Sequence, residues 1–595
     1  MSESNNVPSQ ESGEASSSEN AMLDIIRSMD AISEERTDGT NTLSQSETKV
    51  PGQEDPSMED LGDSSDCSEE EQVSLPRDLV RRASSSLLAM EPQTPKTPAG
   101  WVALLSVLGS ALTLKEIRLQ KSLTGPPLVY AQSSPKMDQL QEILSKNTSQ
   151  TCGRGMLTRD VKPSLFVGTR SHLASAAAYA LHGPKERHLR FEEKMHMTSD
   201  GAEISVVWEV PRQTYKSSLQ SRLTNDELKE QILNGPIDRP VVIILHGINN
   251  SAHFGYMKDL MRSCSDKGWI ACGVNFRGCG GVKMTTPRGY NAAYTGDLRT
   301  IIQKVEARLE EDTPIFLMGN SLGANIMTKY LGEEGYCKTL PKCIAGAVSL
   351  GNPLHIKSSN LKSPWAELLG LGIKKTVVEN WRAIGQMSCF HFQSAVRKAL
   401  LSRTLGQLDD SMAPFLVRNE PYSPFQQKIG YENGDAYWKD ASSNRYVQHI
   451  SGMLEIWCYE VHLFPILDLT IVDLICFIVP LLNLTSKDDF LVNKHAMNSL
   501  EKCTVNPNVI VVKTKCGGHL GWQESPPDGK FGLGKSWATT AAAEFISAVL
   551  EMRSFEAPKN TSPGSEAVID ERKLMLNAQS LVEDMYSLKK LTSKL

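Results

Sequence analysis

The central stretch of the chain is Thr313-Pro-Ile-Phe-Leu-Met-Gly-Asn-Ser-Leu-Gly-Ala-Asn325, and it predicts a strand, a sharp turn and a helix in immediate succession. Four apolar residues, 315–318, are typical of a short buried strand, and the apolar positions of 324–331 have helical spacing. The segment between them matches G-x-S-x-G, a turn that holds a serine hydroxyl clear of the backbone, where a base can reach it. The stretch therefore predicts Ser321 to be a nucleophile.

Strands and helices alternate on both sides of this turn. Continuous apolar runs, typical of strands that are buried on both faces of a parallel sheet, are separated by segments of helical pattern. This alternation predicts an α/β fold with a mostly parallel, doubly wound sheet. The predicted strands are 241–245, 269–276, 315–318, 344–350, 478–484 and 509–514, and a hairpin around Asp200-Gly201 precedes them.

Two segments interrupt the predicted sheet. Residues 354–447 have a helical pattern without strands, and we expect them to form a lid inserted over an active site. Residues 451–477 are mostly apolar and directly precede the strand 478–484. They cannot fill a core position without displacing that strand, so we expect them to loop out of the fold.

A serine nucleophile needs a histidine base and an acid that orients the base, and on this type of sheet the order along the chain is serine, acid, histidine. Asp488 and Asp489 follow the predicted strand that ends at Leu484, and His519 follows the strand that ends at Thr514. We expect Ser321, Asp488 and His519 to form a catalytic triad. Asp488 is preferred to Asp489 because it is nearer to the strand end, so its position depends less on the loop.

An ester or amide hydrolase also needs two fixed N–H donors for the oxyanion of its intermediate. We expect the backbone N–H of Leu322, next to the nucleophile, and that of Ile248, in the loop after the strand 241–245. His246, in the same loop, is predicted to have a structural role as a histidine that bonds the loop. The sequence contains no H-E-x-x-H or comparable ligand set, so neither a metal ion nor another cofactor is expected.

The two ends of the chain differ in composition from its centre. Residues 1–98 are rich in Ser, Glu, Asp and Pro, and we expect a disordered tail there. Residues 99–160 contain an uncharged apolar run, Trp101–Leu114, and a linker; the run is shorter than the roughly 20 residues that a spanning helix needs. This apolar run fits two interpretations. One is a short membrane anchor or interfacial helix, and the other is a helix packed on the domain. A linker and an amphipathic helix are expected within 553–595.

Composition limits the classes of partner. The net charge of −6 gives no general attraction to nucleic acid. The twelve cysteines form no paired C-x-x-C set, which favours a reducing compartment. We therefore expect the protein at the cytoplasmic face of a membrane, such as the endoplasmic reticulum, or in the cytoplasm; the sequence does not indicate an oligomeric state.

Several stretches together resemble one branch of the α/β-hydrolases, AB hydrolase family four, which includes plant embryogenesis-associated proteins, esterases and membrane-anchored animal lipases. The resemblance covers roughly residues 160–552 and predicts an α/β-hydrolase catalytic domain at 161–552. The stretches are His246-Gly247, Asn275-Phe-Arg-Gly-Cys-Gly-Gly281, Thr285-Thr-Pro-Arg-Gly-Tyr290, Tyr294-Thr-Gly-Asp297, Gly319-Asn-Ser-Leu-Gly-Ala-Asn325, Ser486-Lys-Asp-Asp489 and Gly517-Gly-His-Leu-Gly-Trp522.

The resemblance implies a serine esterase or lipase that acts on acylglycerols, phospholipids or short acyl esters, and it assigns the same triad of Ser321, Asp488 and His519. The alternative is a catalytically weak scaffold of the same fold that binds a lipid or a hormone-like ligand. Two features depart from the family pattern: Phe490 replaces the usual proline after the paired aspartates, and the segment 451–477 is additional.

Overall fold

The computed structural model of the protein describes residues 98–146, 155–180, 188–211, 224–357, 361–420, 423–450, 479–492, 506–527 and 532–556. Three predictions lie outside the described residues: nearly all of the expected N-terminal tail, the apolar segment 451–477 and the C-terminal amphipathic helix.

Eleven strands form in the described chain. They are β1 (Leu128–Tyr130), β2 (Leu189–His196), β3 (Glu203–Val210), β4 (Val241–Leu245), β5 (Ile270–Val274), β6 (Ile315–Asn320), β7 (Ile344–Leu350), β8 (Val417–Glu420), β9 (Ser423–Ile429), β10 (Leu481–Ser486) and β11 (Val509–Thr514).

The helices of the described chain flank the strands. They are α1 (Pro98–Leu123), α2 (Pro135–Lys146), α3 (Ser171–Ala180), α4 (Asn225–Asn234), α5 (Gly255–Asp266), α6 (Gly296–Glu306), α7 (Leu322–Cys337), α8 (Trp365–Glu379), α9 (Trp381–Ile384), α10 (Phe390–Leu401), α11 (Leu405–Met412), α12 (Gly434–Ala441) and α13 (Trp537–Glu556).

The central sheet contains nine of the described strands, in the order β1-β11-β10-β7-β6-β4-β5-β3-β2. The six strands from β11 to β5 are parallel to one another, whereas β1 at one edge and the β2–β3 hairpin at the other are antiparallel. Every residue of β4, β6 and β7 is buried, as expected for parallel strands covered by helices on both faces. The predicted α/β fold, its mostly parallel sheet and its hairpin are confirmed.

The carboxyl ends of β4, β6, β10 and β11 lie along the same edge of the sheet. The loops that follow these strands carry His246, Ser321, the two aspartates and His519, respectively. Open α/β sheets bind their ligands at this edge. The topology therefore brings together residues that are up to 273 positions apart in the chain.

The segment between β7 and β10 contains helices α8 to α12 and, in addition, a small two-stranded sheet formed by β8 and β9. The sequence pattern predicted helices alone for this segment. Pro424, within β9, helps to explain the difference, because proline removes a helical hydrogen bond and fits an edge strand.

Helix α1 begins before the apolar run 101–114 and continues beyond it to Leu123. Its second half packs on the domain: the Glu116 carboxylate, only 2% exposed, pairs with Arg170 at 2.7 Å and accepts a hydrogen bond from Thr169. Gln120 Nε2 donates to the carbonyl of Pro163 at 2.7 Å. In the part of the chain that the structure describes, we find no helix with the length and apolar character that crossing a bilayer requires.

Candidate active site

Ser321 lies at the sharp turn between β6 and α7. Its backbone has φ 52° and ψ −115°, outside the regions that non-glycine residues ordinarily occupy. The turn depends on its two glycines: a Cβ at Gly319 would lie 2.4 Å from the Cα of Ala324, and one at Gly323 would lie 2.6 Å from the carbonyl oxygen of His246. Larger residues at these positions would force the strand, the turn and the neighbouring loop apart.

The imidazole of His519 contacts both the serine and a carboxylate. Its Nε2 lies 2.8 Å from Ser321 Oγ, and its Nδ1 lies 2.9 Å from Asp489 Oδ2. With the ring proton on Nδ1, the imidazole donates to the carboxylate and Nε2 accepts from the serine hydroxyl. This is the geometry of a nucleophile, a base and an orienting acid. The three side chains are buried, so water screens their interactions little.

The carboxylate that contacts His519 is a correction to the sequence analysis, which favoured Asp488. Strand β10 continues to Ser486, two residues beyond its predicted end, so Asp488 lies within the turn that follows the strand. Its Oδ1 accepts a hydrogen bond from the backbone N–H of Gly518 at 2.9 Å, and burial raises the pKa of its carboxyl. The chain turns Asp489, not Asp488, toward the imidazole of His519.

Further contacts hold both Asp489 and His519 in place. Asp489 Oδ1 accepts from the backbone N–H groups of Leu491 and Val492 at 2.9 and 3.0 Å, which leaves Oδ2 for the imidazole. The backbone N–H of His519 donates to Ser175 Oγ on α3 at 2.8 Å. No local motif could have identified Ser175, because it precedes His519 by 344 residues.

Phe490, the residue that departs from the family pattern, packs against two other aromatic rings. Its ring centroid lies 4.2 Å from that of His172 and 4.5 Å from that of Trp365, the first residue of α8. It also lies 6.5 Å from the centroid of His519. The first helix of the inserted segment thus contacts the loop that carries the acid, a contact that the sequence did not predict.

The two residues that were predicted to supply oxyanion donors, Leu322 and Ile248, both line one cavity, and Leu322 directly follows Ser321. Leu322 is the first residue of α7, so its N–H has no acceptor within the helix. The loop around Ile248 is fixed, because the N–H of Gly247 donates to the Tyr256 hydroxyl at 3.0 Å and that of Asn249 to the Tyr290 hydroxyl at 3.2 Å. A Cβ at Gly247 would be 3.3 Å from the Cβ of Ser321, so this loop lies directly against the serine.

His246 is part of the loop's support. Its Nε2 accepts from the backbone N–H of Phe276 at 3.1 Å, and its Nδ1 lies 2.6 Å from the carbonyl oxygen of Gly247. Burial lowers its pKa to about 4, so the ring is neutral at neutral pH. The predicted structural role of His246 is confirmed.

A largely apolar cavity of about 140 Å³ begins at Ile248 and Leu322 and extends under the inserted segment. Helices α8 to α12 supply most of its wall, including Ile373, Val377, Phe392, Val396, Leu405 and Leu408. Among the described residues, no three or more His, Cys, Asp and Glu side chains are grouped so that they could hold a metal ion. An apolar cavity that opens beside a nucleophile and two N–H donors can hold the hydrocarbon part of an acyl group.

A buried ionic cluster connects α7 to the end of the inserted segment. Lys329 Nζ contacts Glu333 at 2.8 Å, the Tyr446 hydroxyl at 2.8 Å and Asp440 at 3.4 Å. Burial acts to lower the pKa of Lys329, but Glu333 and Asp440 outweigh this effect and hold it above its ordinary value. The helix that begins directly after Ser321 is thereby fixed to residues more than 100 positions further along the chain.

Comparisons with known proteins give a family match and several relatives. A family model described as serine aminopeptidase, S33, matches residues 237–413. The chain is 25% identical over 429 residues to an embryogenesis-associated protein of Picea glauca, covering 71% of this chain and 79% of that protein. It is 26% identical to a monoacylglycerol lipase of Saccharomyces cerevisiae, covering 52% and 60%, respectively.

One animal protein and one solved structure were also matched. The chain is 25% identical to phospholipase ABHD3 of Bos taurus, over 56% of this chain and 67% of that protein. An esterase of Pyrococcus furiosus aligns with a TM-score of 0.33 and 15% identity, over 62% of this chain and 95% of its own.

Proposed function

We propose that this chain, a member of the α/β-hydrolase superfamily, is a serine ester hydrolase whose triad is Ser321, His519 and Asp489. The observation that carries the proposal is the continuous pair of contacts from Ser321 Oγ through the imidazole to the Asp489 carboxylate. Relatives that are named as lipases and esterases support hydrolysis as the activity.

The geometry supports a two-step reaction. His519 Nε2 takes the proton of Ser321 as its Oγ attacks the carbonyl carbon of the ester, and the Asp489 carboxylate stabilises the imidazolium that forms. The N–H groups of Leu322 and Ile248 donate to the oxyanion of the tetrahedral intermediate. The imidazolium then protonates the leaving alcohol, which leaves an acyl group on Ser321, and water activated by His519 releases the acid.

The cavity supports an acyl ester as the substrate class: acylglycerols, phospholipids or short-chain acyl esters. Its wall is mainly aliphatic and aromatic, and it begins next to the residues that would bind the ester carbonyl. Helices α8 to α12 cover this cavity, and we assign them the role of a lid. Relatives named as a monoacylglycerol lipase and a phospholipase act on substrates of this class.

The side chains on the outer face of the inserted segment support binding to a membrane, from which the protein would take its substrate. Leu371 and Val378 on α8, Trp381 on α9, and Phe390 and Leu401 on α10 are exposed apolar residues, which we call the apolar surface. Of the exposed charged side chains within 361–403, six are basic and one, Glu379, is acidic; the basic ones are Lys362, Lys375, Arg382, Arg397, Lys398 and Arg403.

This combination of apolar and basic side chains fits an anionic lipid surface. On α8, Leu371, Lys375 and Val378 share one helical face, while Ile373 and Val377 line the cavity. The same short helices therefore have one face toward the proposed bilayer and another toward the acyl chain. Cysteines without disulfides in the described chain support the cytoplasmic side.

The test is labelling with a fluorophosphonate probe together with hydrolysis of a short-chain nitrophenyl ester. We expect the wild-type protein to label and to turn over the ester, and a folded Ser321→Ala variant to do neither. Removal of one triad member typically costs several orders of magnitude in rate. A folded wild-type protein that binds lipid but neither labels nor hydrolyses would instead be the non-catalytic scaffold.

A further inference from the structure

The loop that carries Ile248 bonds directly to the first helix of the lid. The side-chain Nδ2 of Asn249 donates to the backbone carbonyl of Leu369, in α8, at 2.9 Å. A carbonyl oxygen has two lone pairs, so it can accept this hydrogen bond as well as the one within its own helix. Asn249 therefore fastens its loop to α8 without interrupting the helix.

The backbone on both sides of this contact is suited to it. Asn249 has φ 59°, in the left-handed region that asparagine enters more readily than most residues. On α8, Gly372 leaves room for the amide, because a Cβ there would lie 2.2 Å from Asn249 Nδ2 and 2.4 Å from its Cγ. Glycine weakens the interior of a helix, but only a residue without a side chain leaves the amide its place against α8.

Asn249 is also one of two anchors on either side of the Ile248 N–H. Before Ile248, the N–H of Gly247 donates to the Tyr256 hydroxyl at 3.0 Å. After it, the backbone N–H of Asn249 donates to the Tyr290 hydroxyl at 3.2 Å, and its side chain bonds α8. The peptide that supplies the predicted oxyanion donor is thus held between two anchors, one of which ends on the lid.

We propose that Asn249 is a positioning residue, which holds the Ile248 N–H toward the oxyanion by bonding α8. The inference rests on the proposed function and adds a condition to it: the pair of oxyanion donors is complete only while α8 lies in this place. The same helix touches the other side of the site, where the ring centroid of Trp365 lies 4.5 Å from that of Phe490, next to the acid. One lid helix thus contacts both the loop of the oxyanion donor and the loop of the acid.

The amide of Asn249 is not what keeps α8 on the domain. The side chains of Leu369 and Ile373 already pack against the hydrophobic core, and burial of apolar surface is the larger source of stability. A single hydrogen bond adds little net stability, because water can bond the same groups when it is broken. Its direction, however, fixes where the loop lies. We therefore expect removal of the amide to change catalysis more than stability.

The experiment separates stabilisation of the oxyanion from the stability of the fold. A short-chain nitrophenyl ester gives kcat/KM, and an alkyl trifluoromethyl ketone of the same chain length gives an inhibition constant, Ki. The ketone forms a hemiketal with a serine hydroxyl, and the oxyanion of the hemiketal needs the same two N–H donors as the transition state. Loss of positioning should lower kcat/KM and raise Ki by similar factors, while the melting temperature changes little.

Two single variants break the contact, one from each side. Asn249→Asp keeps the shape and tolerates the left-handed backbone, but it sets a carboxylate oxygen against the Leu369 carbonyl. We expect kcat/KM to fall about ten- to a hundredfold, since complete removal of one oxyanion donor costs about 10²–10³. Gly372→Ala should have a similar effect, because its methyl group displaces the amide, although alanine favours the helix itself.

The double variant Asn249→Gly/Gly372→Ala shows whether the two positions act through each other. The glycine keeps the left-handed backbone and removes the amide, so the new methyl group on α8 loses the side chain that it would contact. The double variant should therefore equal Asn249→Gly alone, instead of showing the product of the two single losses. The matched control is Gly109→Ala, in α1, where an added Cβ meets nothing within 4 Å and both constants should keep their wild-type values.

Three results would overturn the proposal. One is a wild-type kcat/KM in both Asn249→Asp and Gly372→Ala, and another is a lower kcat/KM with an unchanged Ki, which would place the defect away from the oxyanion. The third is a double variant that shows the product of the single losses. If Gly372→Ala fails to fold, Asn249→Asp and Asn249→Gly decide the question on the same constants. A wild-type protein that neither labels with the fluorophosphonate probe nor hydrolyses the ester would instead contradict the proposed function.

Discussion

Asp489 Oδ2 lies 2.9 Å from His519 Nδ1, whereas the neighbouring Asp488 accepts a hydrogen bond from the backbone N–H of Gly518. The two adjacent carboxylates thus support the same histidine loop in different ways. One contacts the imidazole directly, and the other fixes the backbone just before it. Of the two, only Asp489 is therefore placed to act on the imidazole in the proposed reaction.

The first prediction concerns these two aspartates. Asp489→Asn should lower kcat by about three to four orders of magnitude, because an amide no longer fixes the imidazole tautomer or stabilises the imidazolium. Asp488→Asn should lower kcat far less, because the amide oxygen can still accept from Gly518. Ester turnover and the rate of probe labelling measure both variants. A larger loss in Asp488→Asn would return the catalytic acid to that residue.

The second prediction concerns the buried cluster at Lys329. Lys329→Met leaves the carboxylate of Asp440 without its cation, whereas Glu333 keeps Arg299 at 3.6 Å, and we expect a loss of about 3 kcal/mol in the free energy of unfolding. Urea denaturation measures the loss. The double variant Lys329→Met/Asp440→Asn also removes the stranded charge and should recover part of the loss. Equal stability of Lys329→Met and the wild-type protein would show that the cluster does not hold α7.

The third prediction concerns the apolar surface. Phe390→Asp and Leu401→Asp, at side chains that are 79% and 84% exposed, should each reduce binding to vesicles that contain an anionic lipid, while turnover of a soluble ester stays near the wild-type rate. Sedimentation with vesicles gives the bound fraction. Leu128→Asp, at an exposed apolar residue on the edge strand β1, is the matched control. Equal losses in all three variants would mean that the inserted segment has no special affinity for lipid.

The fourth prediction follows from the raised pKa of Asp409. A carboxyl whose folded pKa lies above its unfolded value binds more protons in the folded state, so its contribution to stability is complete below the unfolded value, about 3.9. That contribution is lost as the pH rises through the folded pKa. With rising pH, the free energy of unfolding of the wild-type protein should therefore fall relative to that of Asp409→Asn.

Urea denaturation at a series of pH values measures this difference. The groups that face Asp409 are Asp410, Tyr290 and Tyr437; burial raises the pKa of both tyrosines, so they remain neutral, and all three residues are present in both proteins. Their effects cancel in the comparison. Parallel stability profiles would show that Asp409 is ionised in the folded protein.

The sequence predicted those features that depend on neighbouring residues. The strand, turn and helix around Ser321 follow from one continuous stretch, and His519 follows from two glycines after an apolar run. The parallel sheet follows from the repetition of such runs. In each case, local pattern and backbone chemistry are sufficient because the residues that make the structure are adjacent in the chain.

Features that depend on tertiary contacts could not be predicted from the sequence. The choice between Asp488 and Asp489 depends on how far pairing with β11 extends β10, and the pattern of apolar residues ends before the pairing does. The support of His519 by Ser175, and the meeting of Asp409 with Trp438 at the cavity wall, join residues from separate helices. The spacing of apolar residues along the chain does not show which helices will pack against each other.

The contacts of α1 have a consequence for how the chain can be shortened. Glu116 of this helix holds Thr169 and Arg170, the two residues before α3, and α3 carries the Ser175 hydroxyl that accepts from His519. A protein that starts after Leu123 would lack Glu116, so Thr169 and Arg170 at the start of α3 would lose their carboxylate partner. That loss would weaken the helix whose Ser175 supports His519. A useful N-terminal boundary for expression therefore lies ahead of Glu116, and the helix belongs with the enzyme.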